Sequence, residues 1–140
     1  IPLEQWADLL AVDNCCFINL QYGNVTEEIG EFSAATGVSI HCDNQVDSSQ
    51  DLDVFFAQVA AMDLVVSIAN STAHIAGSLG KLALISLPYV PDWRWMIDRA
   101  DSLWYPEITL FRQKREGDWS KALQEVAVAL AQFTLTRGNC

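Results

Sequence analysis

Apolar and polar positions along this chain change period in blocks, and each change marks an element. Leu3, Trp6, Leu9 and Leu10 fall on one face at helical spacing, so Leu3 to Leu10 is expected to form a short helix. Cys15-Cys16-Phe17-Ile18-Asn19-Leu20 is a short, mostly apolar run, the pattern of a strand covered on both faces. Gln21-Tyr22-Gly23-Asn24 reads as a turn, and Thr26 to Ala35 as the helix behind it, ended by Gly37. Val38 to His41 is a second short strand. The polar stretch Asp43 to Asp51 is a loop, and Leu52 to Met62 an apolar-periodic helix. Leu64 to Ile68 is the clearest buried strand. Thr72 to Leu79 then makes a small-residue helix closed by Gly80, and Leu82 to Leu87 another buried strand. An aromatic-rich loop runs from Pro88 to Pro106. Ile108 to Phe111 is the last strand, and Ser120 to Phe133 a final amphipathic helix behind Asp118-Trp119.

Strands that alternate with helices through short connections pair in parallel. The expected fold is therefore α/β, a doubly wound, mostly parallel sheet in one domain over residues 1–140. No repeat or low-complexity tract interrupts it. Hydrophobic residues make up 51% of the chain, which permits a sizeable core and excludes a disordered segment. No apolar run approaches the ~20 residues of a membrane helix. The chain opens at Ile1, without Met or a basic n-region, and is read as a fragment of something longer rather than a secretory precursor.

Charge is unevenly distributed. Residues 1–80 hold 11 acidic side chains and no basic one, and the remainder 7 acids against 8 bases, for a net charge of -10. That balance argues against nucleic-acid or anionic-membrane binding, which needs a basic face. It leaves room for a small phosphate site in the later half, near Lys81, Arg94, Arg99 and Arg112. Adjacent Cys15 and Cys16 would point to opposite faces of a strand, unsuited to a shared metal or a mutual bond. With Cys42 and Cys140 they read as small buried hydrophobes in a reducing cytosol, which makes the expected location cytoplasmic. No ligand spacing for zinc appears, so no metal is expected.

Three constellations could carry chemistry. In the first, Asn70-Ser71-Thr72 joins a buried strand to the first turn of a helix, where ligands of open α/β sheets bind. Free backbone N–H groups and the helix dipole favour a phosphate there. Ser71 and Thr72 add hydroxyls, His74 lies in the same turn, and Ala73, Ala76 and Gly77 are small enough for close approach. Equally, Ser71 or Thr72 would serve as a simple N-cap. The second is Pro88-Tyr89-Val90-Pro91-Asp92-Trp93-Arg94-Trp95, emerging at the same sheet edge. Trp93 and Arg94 could stack on a base or sugar and neutralise phosphate, or the tryptophans could merely pin the loop. Trp104, Tyr105 and Trp119 read as packing anchors. The third is Gln21-Tyr22-Gly23 with Glu27 and Glu28, where Gly23 would admit a ligand and a carboxylate would accept from ribose hydroxyls. Acids there also complement a helix dipole.

The segments Asn70 to Gly80, Leu87-Pro88-Tyr89, Asp92-Trp93-Arg94-Trp95, Ser102 to Pro106, Leu110 to Gln113 and Gly117-Asp118-Trp119 carry a family likeness. Together with Leu20-Gln21-Tyr22-Gly23, they resemble the C-terminal domain of glycosyltransferase family 9-like proteins. That group contains the ADP-heptose:lipopolysaccharide heptosyltransferases, and the likeness is nearest to bacterial proteins in which such a domain follows tetratricopeptide repeats. The resemblance implies the C-terminal Rossmann half of a GT-B enzyme. The turn Asn70 to His74 would hold the pyrophosphate of a nucleotide-diphosphate sugar, and Glu27 or Glu28 its ribose. A sugar would pass to an acceptor hydroxyl without metal or other cofactor, helix N–H groups and basic side chains stabilising the leaving diphosphate. The catalytic base would belong to an N-terminal acceptor domain.

Two departures from that pattern matter. Ala69 stands five positions before His74, where the family carries an acid that binds donor hydroxyls. Ile1-Pro2-Leu3 resembles the segment just after the domain's first strand, so this chain by itself is not expected to turn over substrate. Two readings follow, a donor-binding half of a glycosyltransferase or a degenerate fold kept as a binding or interaction module. A flavodoxin-like nucleotide binder ranks third, because it leaves the aromatic loop unexplained. A truncated sheet would also expose an edge able to pair with a second copy.

Overall fold

Backbone groups at the ends of helices need partners, and this chain supplies them from short polar side chains and glycines. Asp51 accepts from the Val54 N–H at 3.1 Å and starts α3, Leu52–Ala61. Asn70 accepts from the Ala73 N–H at 3.2 Å and starts α4, Ser71–Ser78. That helix ends where Gly80, at φ +64, lets Lys81 N–H reach the Ala76 carbonyl at 2.9 Å and Gly80 N–H reach Gly77 at 3.1 Å. This is the Schellman arrangement. The computed structural model describes residues 1–137. A 3-10 turn over Leu3–Trp6 leads into α1, Ala7–Leu10. There follow β1 (Phe17–Ile18), α2 (Thr26–Thr36), β2 (Ile40–His41), α3, β3 (Val65–Ile68), α4, β4 (Ala83–Leu87), β5 (Ile108–Arg112) and α5 (Ser120–Arg137).

The architecture is α/β and the strand pairs within both ladders are parallel. The sheet is not continuous, however. Among the described residues β1 pairs with β2, and β3, β4 and β5 pair in that order, with no ladder joining the two groups. β4 is central and buried throughout. Its alternating side chains feed two apolar layers, as period-2 geometry requires. Ala83, Ile85 and Leu87 join Phe55, Val59, Ala73, Ile75 and Ala76 on the α3–α4 side. Leu84 joins Leu9, Val126 and Leu130 on the α1–α5 side. Burying one such aliphatic side chain stabilises by roughly 1.5–3 kcal/mol.

Two expectations need correction. The run Cys15 to Leu20 was expected to be a strand covered on both faces, yet β1 spans only Phe17–Ile18 and both residues are half-buried. The reason is the missing ladder on one side of β1. Cys15 and Cys16 consequently lie before the strand rather than in it. Cys15 and Cys42 are half-buried, Cys16 is exposed, and all three are free thiols. Burial, with a smaller contribution from Asp13, pushes the Cys15 thiol above its ordinary range. Cys140 lies outside the described residues. No helix among the described residues is long and apolar enough to cross a membrane.

Candidate functional site

β3 ends at Ile68, and its carbonyl accepts from the Asn70 N–H at 2.8 Å, which turns the chain sharply into α4. The Asn70 side-chain oxygen takes a second donor, Ser67 Oγ at 3.0 Å, so strand end and helix start share one acceptor. Asn70 is thus the N-cap, where the sequence pointed to Ser71 or Thr72. The cap uses the Ala73 N–H and leaves those of Ser71 and Thr72 facing outward from the first turn. Ser71 is exposed and Thr72 buried, both at the positive end of the helix dipole. Ala73 and Ala76 are wholly buried in the core, so their small size serves packing against the sheet rather than ligand approach.

His74 faces the other way, into the aromatic loop. Its Nδ1 lies 3.1 Å from the Tyr105 hydroxyl. Its ring stacks on Trp95 with centroids 5.0 Å apart, and Tyr105 meets it edge-on at 5.8 Å. Trp95 is buried, so this shelf is rigid. Gly77 belongs to the same arrangement. A Cβ there would stand 2.6 Å from Tyr105 Cδ1, so its lack of a side chain makes room for the tyrosine.

Asp92 shapes the rest of the loop. It accepts from the Arg94 N–H at 3.0 Å and from the Arg94 guanidinium at 2.8 Å, around a 3-10 turn over Trp93–Trp95. The Arg94 backbone N–H and guanidinium hold the Asp92 carboxyl below the usual carboxylate range, with a smaller contribution from nearby His74. Arg94 lies 4.8 Å over the Trp93 ring, and Trp93 remains 63% exposed. Trp104 touches Trp93 edge-on and donates its indole N–H to the Arg94 carbonyl at 3.1 Å. Trp95 and Tyr105 thus anchor the loop, Trp93 is exposed, and the Arg94 guanidinium is paired with Asp92 beside it.

The other basic residues noted as phosphate candidates are engaged elsewhere. Lys81 Nζ donates to the Ala60 carbonyl at 2.8 Å, and Arg99 Nε to Asp101 at 2.9 Å. Arg112 spreads its guanidinium over the carbonyls of Arg99, Met96 and Trp95 at 3.0, 3.1 and 2.6 Å. Burial lowers its pKa from the ordinary guanidinium range, partly offset by Asp98. Arg112 holds the loop rather than a ligand.

The third constellation meets the first across a groove. Gln21, Tyr22 and Glu28 line one rim and Asn70, Ser71 and Thr72 the other. Glu27 and Gly23 are not among the lining residues; Glu28 is the acid on this rim. Gly23 adopts φ +87 with open space where a Cβ would stand, so backbone shape, not a close neighbour, requires glycine there. The sequence-predicted residues thus fall into two groups on either side of the α4 start. Gln21, Tyr22, Asn70, Ser71 and Thr72 share the groove, and His74, Trp93 and Arg94 cluster with the loop. The parts that sequence reasoning missed are Trp95 as a stacking shelf and Tyr105 as a hydroxyl on His74. The His74–Tyr105 pair spans 31 positions and leaves no local signal.

No protein-family model and no solved structure matches the chain. Protein FlbA of Caulobacter vibrioides is 33% identical over 132 residues, covering 94% of this chain but 22% of that relative. The chain thus spans about a fifth of the length of the curated relative it matches.

Proposed function

We propose that this chain is the donor-binding half of a glycosyltransferase, a Rossmann-like GT-B domain that seats a nucleotide-diphosphate sugar over the first turn of α4. The observation that carries the reading is the α4 start itself: Asn70 caps the helix, and Ser71 and Thr72 line the groove opposite Gln21, Tyr22 and Glu28. His74 and the Trp93–Arg94 pair lie on the other side of that helix start. In an otherwise acidic chain, the first-turn N–H groups and hydroxyls of α4 are suited to a diphosphate. The groove rim of Gln21, Tyr22 and Glu28 offers acceptors for ribose hydroxyls. Transfer to an acceptor hydroxyl would need an acceptor domain carrying the base.

One observation favours a second reading, a non-catalytic module of the same fold. Ala69, at the position where the resembled family has an acid, is partly buried against the apolar layer on the α3–α4 side. The donor sugar would there lack its carboxylate contact.

Calorimetric titration with UDP, GDP and ADP tests the proposal. One diphosphate is expected to bind, and His74→Ala to weaken it about tenfold, the equivalent of ~1.4 kcal/mol. Absence of binding, both in this chain and in one extended upstream, would leave the module reading in its place.

A further inference from the structure

Away from the α4 groove, the aromatic loop leaves two tryptophans in solvent. Trp93 is 63% exposed and Trp104 54%, although a ring of that size contributes most to a fold when it is buried. Neither lines the groove. Trp95, in the same 3-10 turn as Trp93, already anchors the loop from within the core. Packing therefore gives no reason for the outer pair. Their ring planes meet at 86° with centroids 6.3 Å apart, so together they form a corner of apolar surface. Both arms of the corner are held. Asp92 sets the turn that carries Trp93. Buried Ser102 accepts from the Trp104 backbone N–H at 3.2 Å, and the Trp104 indole N–H is fixed on the Arg94 carbonyl.

Polar groups border this corner. Both bonds that Asp92 accepts from Arg94 fall on Oδ1, and among the described residues none takes its Oδ2. Arg94 gives the carboxylate only Nη1, which leaves Nε and Nη2 as donors. The two side chains are about half exposed, at 48% for Arg94 and 47% for Asp92. An apolar ring surface flanked by an acceptor and donors matches the chemistry of a pyranose. Its C–H face packs on the indole, and its hydroxyls both donate and accept. Charge argues against an anion here. The Asp92 carboxyl is held below the usual carboxylate range, so it is ionised beside the guanidinium at 2.8 Å. A phosphate would meet a cation that is already neutralised, on a chain of net charge -10.

We propose that the Trp93–Trp104 corner, with Asp92 and Arg94 at its border, binds a neutral saccharide through a pyranose ring, at a site separate from the α4 groove. The two indoles supply the stacking surface, and Asp92 Oδ2 and the uncommitted Arg94 nitrogens take the hydroxyls. Trp104 then does more than anchor the loop, the role its sequence position suggested. The proposal does not rest on the donor-binding reading. A transferase would use the corner to hold a glycan, and a non-catalytic module to recognise one.

Indole Nε1–H signals in NMR test the site as this chain is titrated with cellotetraose, maltotetraose, mannotetraose and chitotetraose. At least one is expected to shift the Trp93 and Trp104 signals, and to move that of buried Trp95 far less. Binding should persist in high salt, because no net charge is being neutralised. Trp93→Ala is expected to weaken it at least about tenfold, and Trp93→Tyr, which keeps a ring, by less than about threefold. Since Trp93 is exposed, both variants should keep the parent's urea midpoint. No shift with any of the four sugars overturns the proposal. So does undiminished sugar binding by Trp93→Ala, which would place the saccharide elsewhere. A shift of the Trp93 signal only with UDP, GDP or ADP would assign the corner to a nucleotide instead. Shifts that depend on protein concentration without any sugar would assign it to a second copy. No nucleotide enters the sugar titration, so its outcome is read independently of donor binding at α4.

Discussion

Single side chains decide how the aromatic loop and the core respond to perturbation. Asp92 is ionised in the fold more readily than a free carboxyl, because it accepts from Arg94 twice. A depressed carboxylate pKa contributes fully above the ordinary value of about 3.9 and is lost as pH falls through the lower, folded value. Tryptophan emission from Trp93 and Trp104 should therefore shift only in strongly acid solution. Asp92→Ala should show the acid-like emission already at neutral pH; an unchanged spectrum would mean that Asp92 does not shape the turn. Ser86 presents the opposite case. Its hydroxyl is fully buried in β4 without a hydrogen-bond partner among the described residues. Such a group carries a desolvation cost of roughly 1–3 kcal/mol. Ser86→Ala is expected to raise stability by about 1 kcal/mol in urea unfolding, and a destabilised variant would reveal a partner for the hydroxyl.

Whole elements show why part of this molecule was legible in its sequence. The helices and the strands β3 to β5 came out within a few residues of expectation, because caps, glycine stops and periodicity are local signals. The Asn70 turn was legible for the same reason. What escaped depends on neighbours distant in sequence. β1 is half-buried because of what lies beside it, and His74 is oriented by a tyrosine from the loop before β5. α4 depends on that same tyrosine. Gly77→Ala would push the Tyr105 ring away from the helix, and overpacking of this sort costs about 1–3 kcal/mol. The variant should lower the unfolding midpoint and uncouple His74 from Tyr105. An imidazole NMR signal identical to that of the parent chain would show that the ring contact does not constrain His74.

At the scale of the whole molecule, two ladders share their helix layers while their facing edges stay apart. The outer edge of β5 is managed differently. The loop folds back on it, with an antiparallel bridge between Asp101 and Thr109 and the Leu110 N–H donating to Ala100 at 2.7 Å. That covering removes one surface through which copies would pair. It also brings Arg99 and Met96 within reach of Arg112, whose guanidinium gathers three loop carbonyls onto the end of β5. Met96 keeps a left-handed backbone there, at φ 55, unusual for a residue with a side chain. A loop held so firmly has little freedom left to lose. A ligand that reaches Trp93 and Arg94 meets a surface already in shape, so its affinity is set by contacts and desolvation, with only a small entropic penalty for ordering the chain.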